Sequence, residues 1–198
     1  MIAFSKTRIG RWFATLGRAR APLRDSKGNA AIEFALVMPL FAVIFVGSAD
    51  IGMLIFSRFK LEGAVSASVS YAVAHGDQVD STNGRALAKN LVSIVANNSS
   101  GDVDVLVDIN NGPQAVNEGA NVTLDGQPAR ADACYCPKGT PSSLEWGAQY
   151  TCNAVCPDGG RAGKYVVIVV KRDYTPFFTM LSALNGGTIA ASAMVQAQ

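Results

Sequence analysis

Residues 28–56 read GNAAIEFALVMPLFAVIFVGSADIGMLIF. From Phe34 to Phe56 this is a run of 23 residues whose one ionisable side chain is Asp50. As a helix the run measures roughly 34 Å at 1.5 Å per residue, enough to cross a hydrocarbon layer of about 30 Å. A soluble surface helix carries an apolar stripe on one side, whereas this one is apolar all round. The composition therefore predicts a membrane span. The competing reading is a central helix buried in a soluble core.

The flanks orient the span. Lys6, Arg8, Arg11, Arg18, Arg20, Arg24 and Lys27 precede it against Asp25 alone, whereas Arg58 and Lys60, then Glu62, follow it. Basic flanks stay in the cytoplasm, so the N-terminus is expected inside and everything after residue 60 outside. The apolar run is too long, and starts too far into the chain, for an ordinary secretory signal peptide.

At the mouth of the span Gly28 is followed by Asn29-Ala30-Ala31-Ile32, then Glu33-Phe34. A carboxylate opening an apolar helix is costly without a partner. The pattern resembles the prepilin peptidase site of type IV pilins, cut after the glycine, with the glutamate fifth in the mature chain. More narrowly, GNAAIEFALVMPLF resembles the opening of the TadE-like pseudopilins of Tad (Flp-type) pilus systems, in which a proline stands inside the span as Pro39 does here. YVVIVVKRDYTPFF, residues 165–178, is similar to the end of such chains. LEGAVSASVSYAV, residues 61–73, departs from the arginine-rich pattern that the family often carries just beyond the span. The resemblance implies a structural, non-enzymatic component of pilus assembly. It implies processing at Gly28, Asn29, Glu33 and Phe34 by a prepilin peptidase. Its implied partners are a second pseudopilin, the Tad platform and pilin, and the inner membrane.

Three segments follow from this reading. Residues 1–28 form a basic cytoplasmic leader removed by the peptidase, 29–57 the transmembrane segment, and 58–198 a periplasmic α+β domain, pilin-like, with an antiparallel sheet. The net charge of +2 belongs to the leader. Without residues 1–28 the chain has 10 basic and 14 acidic side chains, which argues against a nucleic-acid role. Within the leader Ile9, Trp12, Phe13 and Leu16 lie at helical spacing among arginines, fitting either a basic amphipathic segment on an anionic leaflet or a solvated tail.

Beyond the span the helix is expected to run to about Ala74, with Leu61, Val65, Val69 and Val73 as its stripe. A second helix is expected over 83–96, buried through Ala86, Leu87, Asn90, Leu91, Ile94 and Val95. From Asp102 the period becomes two. Val103, Val105, Val107 and Ile109 alternate with Asp102, Asp104, Leu106 and Asp108, a half-buried strand with solvated acids. Asn110-Asn111-Gly112-Pro113 is a turn. Further strands are expected near Val122–Leu124, at Tyr165–Val170 as a central strand, and at Thr188–Val195.

Cys134, Cys136, Cys152 and Cys156 suggest disulfides or zinc. Their spacing is not the usual C-x2-C pair of structural zinc, and an extracytoplasmic location favours disulfides. A Cys134–Cys136 ring is too short, so Cys134 and Cys136 are each expected to join one of Cys152 and Cys156. Which joins which stays open. The one histidine, His75, reads as a cap or surface residue. No phosphate loop and no Ser-His-Asp set is present. No metal, cofactor or small-molecule substrate is expected. Asp50 is either a functional intramembrane acid or a side chain snorkelling to the outer interface. Phe177 and Phe178, in an apolar stretch after Pro176, are either core or a contact for a partner. The alternative function is a membrane-anchored periplasmic binding or zinc/redox module whose span is only an anchor.

Overall fold

A computed structural model describes residues 29–99, 102–119, 121–175 and 187–197. Helix α1 covers Asn29–Ala74, with Pro39 inside it. Proline lacks the N–H that would bond the Ala35 carbonyl, so one rung of the ladder is missing there. The chain divides into two compact units, Met1–Val46 and Gly47–Gln198.

In the first unit the described helix is exposed on every side. Phe34, Leu36, Phe41, Val43 and Ile44 are all more than half exposed. Water does not tolerate such a surface, whereas lipid satisfies it, and the helix satisfies its own backbone. Ala30–Ala74 contains an 18-residue window of mean hydropathy 2.3. This helix is long and apolar enough to serve as a single-pass membrane anchor.

In the second unit α1 turns amphipathic. Beyond the apolar run its buried residues are Leu61, Ala64, Val65, Ser68 and Ala72. Val69 is half-buried and Val73 is exposed, unlike the stripe read from the sequence. The reason is geometric: four residues turn a helix roughly 400°, so a strict four-residue stripe drifts about 40° per step. The alternation of three and four keeps to one side, and it selects the small residues. Ser68 Oγ donates to the Leu91 carbonyl at 3.2 Å, an approach that a larger side chain would prevent. His75 ends the helix. Its backbone N–H donates to the Tyr71 carbonyl at 3.1 Å, its Nδ1 sits 2.9 Å from the same oxygen, and its ring stacks on Tyr71 at 4.0 Å.

Helix α2, Gly84–Asn98, buries Gly84, Leu87, Ala88, Leu91, Val92 and Val95. Ala86 and Asn90, expected inside, are exposed, and Ala88 and Val92 take their place. The strands are β1 Asp104–Ile109, β2 Pro113–Glu118, β3 Asn121–Gly126, β4 Cys134–Tyr135, β5 Lys138–Thr140, β6 Ser143–Glu145, β7 Gln149–Tyr150, β8 Tyr165–Asp173 and β9 Thr188–Gln196. The main sheet has the order β3-β2-β1-β8-β9, and every pairing in it is antiparallel. The result is the α+β arrangement expected from the sequence.

One sheet face presents Val105, Val107, Ile109, Val166, Ile168 and Val170 to a single apolar cluster with Leu61, Leu87, Leu91 and Val95. Burying a leucine completely is worth about 1.5–3 kcal/mol, so Leu61, Leu87 and Leu91 hold the helices to the sheet. The β1–β2 connection needs left-handed backbone at Asn110 and Asn111, with φ of 55° and 58°, which asparagine tolerates better than most residues. β2 was not legible as a strand in the sequence. Pro113 sits at its first position, where a missing donor costs least.

Residues 134–163 form a separate lobe with its own small cluster of Cys134, Cys136, Cys156 and Ala162. Tyr135 and Gly163 exchange both backbone hydrogen bonds, at 2.9 and 3.1 Å, so the lobe leaves and rejoins the chain at one point. Its residues Ser142 and Trp146 reach Ser192 and Asp108, on the sheet face away from the helices.

Candidate functional site

The sequence places its candidate residues in four regions. The described part of α1 opens at Asn29, and Gly28 lies outside the described residues. Glu33 follows one turn later and is exposed, as is Phe34. Residues i and i+4 share a helix face, so Glu33 stands on the Asn29 side.

At Asp50 the helix changes surroundings. Asp50 is 1% exposed, in contrast to Ile51, Leu54, Ile55 and Phe56, which remain substantially exposed. Its backbone carbonyl accepts a hydrogen bond from the Tyr174 hydroxyl at 3.1 Å. Burial, then the negative charge of Asp50, push the Tyr174 hydroxyl above its ordinary pKa. The contact ties the end of β8 to α1, and no spacing rule in the sequence points to it. Phe177 and Phe178, which follow Tyr174 closely, lie outside the described residues.

In the lobe Cys134 is joined to Cys152 and Cys136 to Cys156, with Cα–Cα distances of 5.1 and 5.8 Å. Among the described residues no cysteine is free, and no group of three or more His, Cys, Asp or Glu side chains could hold a metal. The two links are crossed along the chain, closing spans of 18 and 20 residues. Asn110 fastens the lobe to the sheet. Its Nδ2 donates to the Ala131 and Ala133 carbonyls at 3.0 and 2.6 Å, and its Oδ1 accepts from the Tyr165 N–H at 3.1 Å.

The fourth region is the acids. Asp102 and Asp104 are exposed as expected, but Asp108 is not solvated. It is 7% exposed, with Oδ2 accepting from Gln114 Nε2 at 2.9 Å and Oδ1 without a hydrogen bond of good geometry. Burial raises its pKa above 3.8, outweighing the Gln114 and Trp146 side chains and the Asn111 backbone N–H, which pull it down. The cause is the lobe, which brings Trp146 over an otherwise open sheet face. Asp80 and Asp132 behave oppositely. Asp80 accepts from the Asn83 and Thr82 backbone N–H groups at 2.6 and 2.7 Å, and the Asn83 N–H is the chief cause of its lowered pKa. Asp132 is lowered by the Ser81 hydroxyl and then by the Ser81 N–H. With Lys164 Nζ donating to the Val79 carbonyl at 2.7 Å, these groups latch the α1–α2 connection to the neck of the lobe. Their arrangement is structural. It offers no nucleophile beside a base.

A family model described as TadE-like protein matches residues 28–69, about a fifth of the chain. The match begins at Gly28 and runs through LEGAVSASV beyond the apolar run. It does not reach the residues 165–178. Neither the curated proteins nor the solved structures include a match to the chain.

Proposed function

Starting from residues 28–69 as a TadE-like segment, we propose that this chain is a minor pseudopilin, a non-enzymatic structural component of Tad (Flp-type) pilus assembly. The observation that carries the proposal is the family match, which opens at Gly28, five residues before Glu33 and the apolar run that opens at Phe34, on a helix described from Asn29 onward.

A prepilin peptidase removes residues 1–28 by cutting between Gly28 and Asn29. The seven basic residues before the cut hold the N-terminus in the cytoplasm, and the domain after the span lies in the periplasm. Cutting frees an ammonium group on Asn29 and makes that residue the positive end of the helix. Glu33 offsets that charge, in its own chain or in a neighbour. Pairing lowers the cost of bringing a carboxylate into an apolar helix bundle. The helix supplies membrane residence, and the disulfide-bonded domain supplies recognition of a second pseudopilin and of the platform. Phe177 and Phe178 are contact candidates for that partner, and Asp50 is the polar landmark of the span.

Glu33→Ala tests the role assigned to the carboxylate. Removing a charge makes insertion easier, so the variant should insert and be cut at Gly28, by intact mass, yet give few pili. Normal piliation at normal protein level would refute it. A chain that keeps Met1 in cells with an active peptidase would refute processing and favour a simple anchor.

A further inference from the structure

Between Asp50 and Lys60, α1 packs against its own domain the wrong way round for water. Asp50, Ser57 and Ala64, at seven-residue spacing, return to one side of the helix, and this side is turned to the domain: Asp50 and Ala64 are buried and Ser57 is half-buried. Phe59 stands nine residues from Asp50, two and a half turns on and so directly opposite. Ile51, Ile55, Phe56 and Phe59 on that outward side are 49%, 45%, 59% and 65% exposed. Polar groups lie inside and large apolar ones outside. Beyond Lys60 the order reverses. Leu61 and Val65 are buried, whereas Glu62, Gly63, Ser66 and Ala67 are exposed, which is the order that water imposes on a surface helix.

The reversal coincides with a belt of cations. Arg58 and Ala190 line one groove, and Ala190 pairs with Lys171 across the β8–β9 ladder, so Arg58 and Lys171 stand at one height. Lys60 and Arg172 are their near neighbours in the chain. These are four of the ten basic residues after Gly28, gathered at one end of a domain whose charge is otherwise mainly acidic. Two acids accompany them: Glu62 pairs with Arg58 at 3.0 Å, and Asp173 accepts from the Thr188 hydroxyl at 3.2 Å. Lys60 Nζ lies 4.8 Å from the centre of the Phe56 ring, so its stem runs over apolar surface while its charge stays with the belt. On the far side of the belt from the core, the Tyr174 hydroxyl reaches the Asp50 carbonyl, about 9 Å inward of Phe56 along the helix.

We propose that the base of this domain is seated in the outer phospholipid leaflet and does not stand clear of it. Acyl chains cover Ile51, Ile55 and Phe56, and lipid phosphates meet Arg58, Lys60, Lys171 and Arg172. Phe59 lies about 4.5 Å beyond Phe56, within a headgroup layer of about 5–7 Å. The breadth of the apolar surface selects lipid over a second helix. Met53 and Leu54, which flank the domain-facing side, are also exposed, by 39% and 37%. With the outward four they cover roughly 260° of the circumference at about 100° per residue, whereas a packed helix needs a stripe of about 100°. The domain in turn covers Asp50, a carboxylate that lipid does not solvate. This inference rests on the reading of α1 as a membrane anchor.

The test is a nitroxide depth measurement on the full chain in vesicles of phosphatidylethanolamine and phosphatidylglycerol. All four native cysteines are paired, so an introduced cysteine takes the label alone. Oxygen concentrates in lipid and a nickel chelate in water, so the ratio of their collision rates with the label reports its surroundings. Labels at Phe41→Cys and Phe56→Cys should shift this ratio toward oxygen, Val73→Cys should shift it toward nickel, and Phe59→Cys should fall between. Labels at Phe56→Cys and Phe59→Cys as wet as Val73→Cys, with Phe41→Cys in lipid, would overturn the seating and leave the anchor standing. A Phe41→Cys label in water would remove the anchor itself, and the seating with it. Low collision with both reagents at Phe56→Cys, together with dipolar broadening between labels, would put a second copy on this surface in place of lipid and refute the proposal.

Discussion

The crossed disulfides of the lobe make a quantitative prediction about coupling. Closing a ring of 18 or 20 residues restricts the unfolded chain by about 3 kcal/mol when the ring is closed alone. The second ring closes more cheaply once the first exists. From Cys136 the path runs back to Cys134, across to Cys152 and on to Cys156, about 7 residues, worth about 2 kcal/mol. Replacing Cys136 and Cys156 by Ala, or Cys134 and Cys152 by Ala, should therefore each cost about 2 kcal/mol, whereas replacing all four should cost about 5–6 kcal/mol. The excess over the sum of the two pairs, about 1 kcal/mol, is the coupling that a double-mutant cycle reads. The lobe's own apolar cluster is small, so losing both links should unfold it first. Trp146, which packs edge-on against Tyr135 at 5.6 Å, reports this by fluorescence in urea once the other tryptophan, Trp12, is replaced by Phe. Strictly additive costs would refute the crossed-ring reasoning. An unchanged Trp146 signal after loss of all four cysteines would refute the dependence of the lobe on its links.

Two further outcomes follow from single residues. Asp108 should titrate above 3.8 and above Asp80 and Asp132 in a carboxyl-carbon NMR titration; a midpoint at or below theirs would contradict its burial. By linkage, the stabilising contribution of Asp108 is complete below 3.8 and is lost as pH rises through its folded value, whereas those of Asp80 and Asp132 are present above 3.8 and are lost as pH falls through their folded values. Gly76→Ala should destabilise by about 1–3 kcal/mol in denaturant, because a methyl there runs into the Ala197 carbonyl. Gly63→Ala, with nothing within 4 Å of the new methyl, should gain up to about 1 kcal/mol from helix propensity; equal effects at both sites would show that Ala197 is not seated against Gly76.

What the sequence revealed follows from what is local. The α1 helix was legible because its composition leaves no other solvent for it than lipid or a core. β1 and β8 were legible because alternating or continuous valines leave little other reading. β2 was hidden because its inward face is Pro113, Ala115 and Asn117. Asn117 is buried only because its Nδ2 donates to the Val103 carbonyl at 3.0 Å, a bond between residues far apart in sequence. Asp108 looked solvated because nothing near it in the chain covers it; the lobe that does is inserted after β3. The two cross-pairings of the cysteines are equivalent by spacing alone. The Asp50–Tyr174 contact joins residues 124 apart, beyond any periodicity.

The neck at Tyr135 and Gly163 has a bearing on how chains of this kind can diverge. Everything from Cys136 to Ala162 departs and returns across one pair of backbone hydrogen bonds, while β1 and β8 meet each other directly. Such an excursion can be lengthened, shortened or exchanged for another without moving the strands that frame the core. The acid beneath it sets one condition. A replacement must still shelter Asp108 or arrive together with a change at that position. The lobe is thus the interchangeable head of the molecule, and Asp108 is the socket that records whether a head is fitted.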